Sequence, residues 1–114
     1  MLSKSRRIEK SDLAELIRSG RSFQSPLFTI RAFKTTDQKP SRLAVVVAKK
    51  TAPKAVTRNF LKRRLKYALV KRLAEIKPGF CIAFWLKQDL SQIKYQDFEQ
   101  KVFELLGEAN LLLT

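Results

Sequence analysis

The densest chemistry in the chain lies between Ala48 and Tyr67. Lys49-Lys50 is followed there by Lys54, Arg58, Asn59, Lys62, Arg63, Arg64 and Lys66, with no acid among them. Arg58, Lys62 and Lys66 recur every fourth residue, so on a helix they form one row of guanidinium and ammonium heads. Arg63 widens the row and Asn59 adds an amide to the same surface. Arginine holds phosphate with a bidentate fork and lysine adds a mobile point charge, so such a row can follow a phosphodiester backbone. Other chemistries are ruled out by composition. The chain has no histidine and one cysteine, Cys81. That excludes Ser/His and Cys/His nucleophile pairs, a histidine general base, an internal disulfide and a multi-cysteine zinc site. Cys81 reads as a small core residue, and Glu104 with Glu108 reads as a solvated helix edge rather than a metal site.

The 114 residues carry a formal net charge of +14, unevenly placed. Residues 38–74 hold twelve basic side chains and no acid, whereas residues 75–114 hold four basic and six acidic ones. A long acid-free run beside a near-neutral segment points to a polyanion-binding face. With 45% hydrophobic residues the chain can form a core, and at this length one domain is expected over 1–114. Residues 1–8, with Lys4, Arg6 and Arg7, read as a basic N-terminal tail, and 108–114 as a C-terminal tail. No apolar run approaches the roughly 18 residues of a membrane span, and the N-terminus has no apolar signal core, so a cytoplasmic protein is expected.

Six elements build and position the basic segment. Ser11-Asp12 reads as an N-cap, Leu13, Leu16 and Ile17 follow at helical spacing, and Gly20 closes that first helix. Residues 27–34 read as a strand, Thr35 to Ser41 as a turn, and Leu43 to Ala48 as a strand covered on both faces, forming a hairpin with the first. A long helix follows, capped by Thr51, with Pro53 in its first turn and an end near Ile76. Leu61, Leu65, Leu69 and Leu73 form its core row, with Ala68 and Ile76. Phe80 to Leu86 reads as a second buried strand and Tyr95 to Gly107 as a final helix facing inward with Phe98, Val102, Leu105 and Leu106. The expected fold is a single-domain α+β sandwich: three helices on a mixed sheet of about four strands, with a parallel βαβ unit.

The string Ala48-Lys49-Lys50-x-x-x-Lys54-Ala55-x-x-Arg58-Asn59-x-x-Lys62-Arg63 closely resembles the signature of the bacterial ribonuclease P protein component. Supporting features occur in the family's order across nearly the whole chain: the Ser11–Arg21 opening, Phe28 to Ile30, Arg42 to Val47, Pro78-Gly79-Phe80 and the Tyr95–Leu106 helix. The resemblance implies an α/β sandwich with a left-handed βαβ crossover, against the usual rule. It also implies a protein subunit that binds ribonuclease P RNA and assists removal of the 5′ leader from precursor tRNA. No catalytic residue and no tightly held cofactor is then expected in the chain, because Mg2+ at the RNA active site performs the hydrolysis. DNA and membranes are not expected partners.

By that resemblance Lys49, Lys50, Lys54, Arg58, Asn59, Lys62, Arg63 and Lys66 contact the catalytic RNA. The leader is expected in a cleft between the sheet and the first helix, lined by Leu13, Ile17, Phe23, Phe28, Arg31 and Trp85. Phe28 and Phe33, five residues apart, must face opposite sides of a strand, and Phe28 is assigned to the cleft. The chain departs from the pattern at Phe60, where the motif has a cation, with Arg64 offered as compensation; at Leu13 and Ile17, where aromatics are frequent; and at Arg31, where tyrosine is frequent. The alternatives are a ribosomal or general RNA-binding protein, a nuclease with its own carboxylate site, and a basic amphipathic helix acting on anionic membranes.

Overall fold

Phe80 to Leu86 is apolar throughout, and a strand of that kind is stable only where both faces and both edges are covered. It occupies the interior of the sheet accordingly. The computed structural model describes residues 6–36 and 39–113. Its elements are α1 (Lys10–Ser19), β1 (Arg21–Gln24), β2 (Phe28–Lys34), β3 (Arg42–Val46), α2 (Ala55–Lys71), β4 (Phe80–Leu86) and α3 (Tyr95–Glu108), with a 3-10 turn at Leu73–Glu75. The sheet order is β1-β2-β4-β3, with β4 antiparallel to β2 and parallel to β3. The sandwich, the three helices and the parallel pair are as expected. The hairpin between residues 27–34 and 43–48 is not: β4, the most apolar strand, separates them. The short strand β1, which turns back through Ser25 and pairs with β2, was missed; its four residues show little apolar alternation.

Cross-strand partners share a face, so register sorts the side chains into two sets. Phe23, Ile30, Phe84 and Val45 form one row. Together with Phe28, Ile82 and Leu43 they pack in one cluster with Leu61, Leu65 and Leu69 of α2 and Phe98, Val102 and Leu106 of α3. On the other face Ser22, Arg31, Ala83 and Ala44 form a row, and Gln24, Thr29, Trp85 and Val46 the next. There α1 lies across β2 and β4 and buries Leu16 apart from the main cluster.

The helix ends differ from expectation in instructive ways. α1 begins two residues earlier than Ser11-Asp12 suggests: Glu9 is the N-cap, and Asp12 accepts from its backbone N–H. Gly20 does close α1, because a Cβ there would lie 2.4 Å from the Leu16 carbonyl oxygen. α2 starts at Ala55 with Lys54 at the cap, since the Thr51 hydroxyl donates to Leu86 O at 3.2 Å and is engaged in joining the loop to β4. It ends at Lys71, and Leu73 falls in the 3-10 turn, so the helical row stops at Leu69, while Leu73, partly buried, and Ile76, buried, still pack on the core from the following segment. Gly79 takes a positive φ of 84°, which lets the chain enter β4. Buried Ser41 ties this entry to β3, donating to Lys77 O and accepting from Phe80 N–H. The C-terminal segment packs back: Leu111 is buried and its N–H donates to Leu106 O at 2.9 Å. Beside β3, Arg6 donates to Ser41 O and Arg7 bridges to Leu43; Lys4 of the basic tail and Asp37 of the turn lie outside the described residues.

Phe28 is 1% exposed and meets Phe98 edge-on, with ring centroids 5.7 Å apart. Phe28→Ala is expected to lower the unfolding free energy by about 3–5 kcal/mol in urea titrations. A loss below about 1 kcal/mol, typical of surface sites, would contradict this placement.

Candidate nucleic-acid interface

The basic segment is built in two parts. After β3 the chain turns at Lys49-Lys50, with Thr51 and Ala52 N–H both donating to Ala48 O, and both lysines are exposed. The small side chain of Ala52 is buried, which anchors the turn against the body. Lys54, also exposed, then stands at the N-cap of α2, whose first turn carries no acid. The positive end of the helix dipole and the lysines therefore add their potentials rather than cancel. Along α2, Lys62 and Lys66 are half-buried at the stem, and Asn59 and Arg63 are exposed. Leu61, Leu65 and Leu69 beside them are buried, which fixes which way the row faces.

Among the described residues none of these cations pairs with an acid. Among the described residues, the acids that form ion pairs hold other partners: Glu15 with Arg18, Asp12 with Arg42, Glu99 with Lys71, Glu75 with Arg72 and Glu104 with Lys101. Two arginines of the segment are engaged elsewhere. Arg58 donates through Nη1 to Ala52 O at 3.0 Å and Pro53 O at 2.8 Å, so it braces the loop while its other donors remain on the row. Arg64 does not replace the cation missing at Phe60. It donates to Leu90 O at 2.9 Å and lies 5.1 Å from the Phe98 ring centroid, on the flank of α2 away from the row.

The face beneath α1 differs from expectation at three residues. Trp85 lies on this face and is half-buried, and Leu13 and Ile17 stand on one flank of Leu16, with Ile17 63% exposed. Arg31 is also on this face, but its guanidinium clamps α1: Nε donates to Leu16 O, and Nη2 to Ile17 O and Gly20 O at 3.0 and 3.1 Å. At the other end of the helix Arg42 grips Asp12 through Nε at 3.0 Å and Nη2 at 3.3 Å. Sequence reasoning missed this pair of clamps, because nothing in local spacing links Arg31 to a helix terminus or Arg42 to Asp12. Phe28 and Phe23 do not belong to the cleft; both are on the α2/α3 face. Phe28 and Arg31 have opposite parity, so one strand cannot offer both to one cleft. The apolar set Phe28, Ile30, Ala32 against Thr29 and Arg31 was the available signal. Phe33 is the aromatic of β2 on the α1 face, and Phe23 lines an edge cavity of about 500 Å³ with Arg21, Lys34 and Phe80.

A mixed sheet with one helix on one face and two on the other, presenting an acid-free basic helix, defines a small RNA-binding α+β sandwich. The model of the family described as Ribonuclease P matches residues 2–110. The ribonuclease P protein component of Rippkaea orientalis is 30% identical over 97 residues, covering 82% of this chain and 76% of that one. The component from Synechococcus elongatus is 31% identical over 101 residues, covering 85% and 83%. The RNase P protein from Thermotoga maritima superposes with a TM-score of 0.79 at 27% identity, over 90% of this chain and 96% of that one. The RNase P protein from Staphylococcus aureus gives a TM-score of 0.83 at 21% identity over 95% and 98%, a likeness of fold. The chain belongs to the ribonuclease P protein-component family. It is thus an RNA-binding subunit in a tRNA-processing endoribonuclease, and ribonuclease P RNA is its partner.

The row makes a quantitative expectation. Replacing Lys62 and Lys66 together by alanine should leave the fold intact and lower the log–log salt slope of binding to ribonuclease P RNA by roughly 1.4–1.8, the loss of two phosphate contacts. An unchanged slope would place the RNA face elsewhere.

Proposed function

We propose that the chain holds ribonuclease P RNA on the Lys49-Lys50 turn and the α2 row, with Lys54, Arg58, Asn59, Lys62, Arg63 and Lys66 as the contacting side chains. The 5′ leader of precursor tRNA then runs across the sheet face beside α1, past Leu13, Ile17 and Trp85. The observation that carries this reading is a row of cations that pair with no acid among the described residues, seated on a helix fixed by its buried leucines. Cations along such a row release the counterions condensed on a phosphodiester backbone, so the gain in binding falls steeply as salt rises. Arg31 acts in this scheme as a positioning residue for α1 rather than a leader contact; three of its five N–H donors reach carbonyls of α1 and its C-cap Gly20.

The protein's part is binding and orientation of two RNAs in the cytoplasm. Among the described residues no group of three His, Cys, Asp or Glu side chains is placed to hold a metal ion. Magnesium belongs in this proposal to the RNA partner. The membrane alternative loses its basis in α2: its leucine row is buried against the sheet, and no helix among the described residues is long and apolar enough to cross a bilayer.

The test is reconstitution of the protein with ribonuclease P RNA and 5′-labelled precursor tRNA at low magnesium. Cleavage at the mature 5′ end is expected only with both components, and cleavage by protein alone would overturn the division of labour. Ile17→Glu, at an exposed position beside the proposed leader path, should weaken binding of precursor several-fold and leave mature tRNA unaffected. Equal losses for both would remove the leader from this face.

A further inference from the structure

The basic row occupies one flank of the leucine stripe on α2. The other flank carries Phe60, Arg64 and Tyr67 at i, i+4 and i+7. Phe60 is 39% and Tyr67 60% exposed. With Arg63 and with Tyr95 of α3 they line an open groove of about 420 Å³. The two tyrosine rings meet edge-on, centroids 5.4 Å apart. The Arg64 guanidinium, held by Leu90 O, lies 5.6 Å from the Phe60 centroid and 5.9 Å from that of Tyr95. Tyr95 donates to Glu99 Oε1 at 3.0 Å, and burial together with that bond pushes its phenol up to about 12, so the ring stays neutral at working pH. The groove therefore offers aromatic faces, a fixed planar cation and no free carboxylate on its lining.

Charge decides what can cover these rings. α2 carries six cations and no acid, so a second copy of this chain would bring like charge against like. A nucleotide satisfies both features: its phosphate answers Arg63, which borders the groove on the side of the row, and its base presents a π face to the rings. We infer that the Phe60–Tyr67–Tyr95 groove is a stacking site for an unpaired base of the RNA whose phosphates lie along the Lys62/Lys66 row. This rests on α2 being the RNA face. One strand then binds over the crest of the helix, charge on one shoulder and a base on the other.

The chain's two tyrosines both lie in the groove, so 3-fluorotyrosine labelling gives two fluorine resonances that both report on it. The labelled protein is titrated with single-stranded octa-adenylate and with a blunt RNA duplex of equal length. The single strand is expected to shift the Tyr67 resonance and the duplex to leave it in place. Phe60→Leu, which keeps apolar bulk but removes the ring, should weaken single-strand binding by about fivefold or more with no change in salt slope. Tyr67→Ser, at a more exposed position, should do the same without loss of thermal stability. Resonances that stay put with the single strand, equal shifts with the duplex, or full affinity in both variants would overturn the inference. Shifts that follow protein concentration in the absence of RNA would assign the groove to a second copy and overturn it as well. In all these cases a reduced slope in Lys62→Ala/Lys66→Ala leaves the basic-row reading standing; an unchanged slope there overturns that reading itself.

Discussion

Everything in this fold depends on seating a helix that has no acid of its own. α2 places like charges at i, i+4 along Arg58, Lys62 and Lys66 and sets Lys54 at its positive end. Each such pair costs a few tenths of a kcal/mol on an exposed helix, and cations at the N-terminus cost a similar amount. Burying Leu61, Leu65 and Leu69 completely contributes about 1.5–3 kcal/mol apiece, so packing exceeds repulsion severalfold. The charges are consequently fixed in place without being neutralised. A partner polyanion relieves a repulsion that the core alone holds in check.

That seat requires a sheet able to take α2 and α3 on one side and α1 on the other. β4 makes this possible by standing between β2 and β3, buried on both faces. The two sides are held by different physics. Rings and aliphatic chains fill the α2/α3 side, whereas α1 rests on one buried leucine and two arginine clamps, Arg31 at its C-terminal carbonyls and Arg42 at Asp12. A helix held mainly at its ends leaves Leu13 and Ile17 open along its flank. The surfaces proposed for the two RNAs are thus separated by the thickness of the sheet, which suits a subunit that must hold both at once.

Much of this was legible in the amino-acid order because strong local periodicity coincided with tertiary need. The bounds of β4, the inward residues of α3 and the buried stripe of α2 followed from apolar spacing alone. Pairing did not. Whether β3 joins β2 or β4 depends on which strand is apolar enough for the centre, a comparison among strands rather than a property of one. Phe28 was misplaced because side alternation says which residues share a face but leaves open which face is the core; Arg31, three residues on and of opposite parity, could have decided it. Arg58 and Arg64 look alike in sequence to Lys62 and Lys66, and only the fold shows that backbone carbonyls of Ala52, Pro53 and Leu90 engage them. The whole basic segment was legible as a polyanion surface; the division of labour within it was not.

Opposite sides of the sheet are proposed to meet different RNAs, and crosslinking within the assembled complex distinguishes the two sides. A photoactivatable group is placed at position 63 on α2 or at position 17 on α1, and the protein is loaded with ribonuclease P RNA and precursor tRNA. Position 63 is expected to label the ribonuclease P RNA and position 17 the 5′ leader. Both positions labelling the same RNA, or the exchange of the two targets, would contradict it.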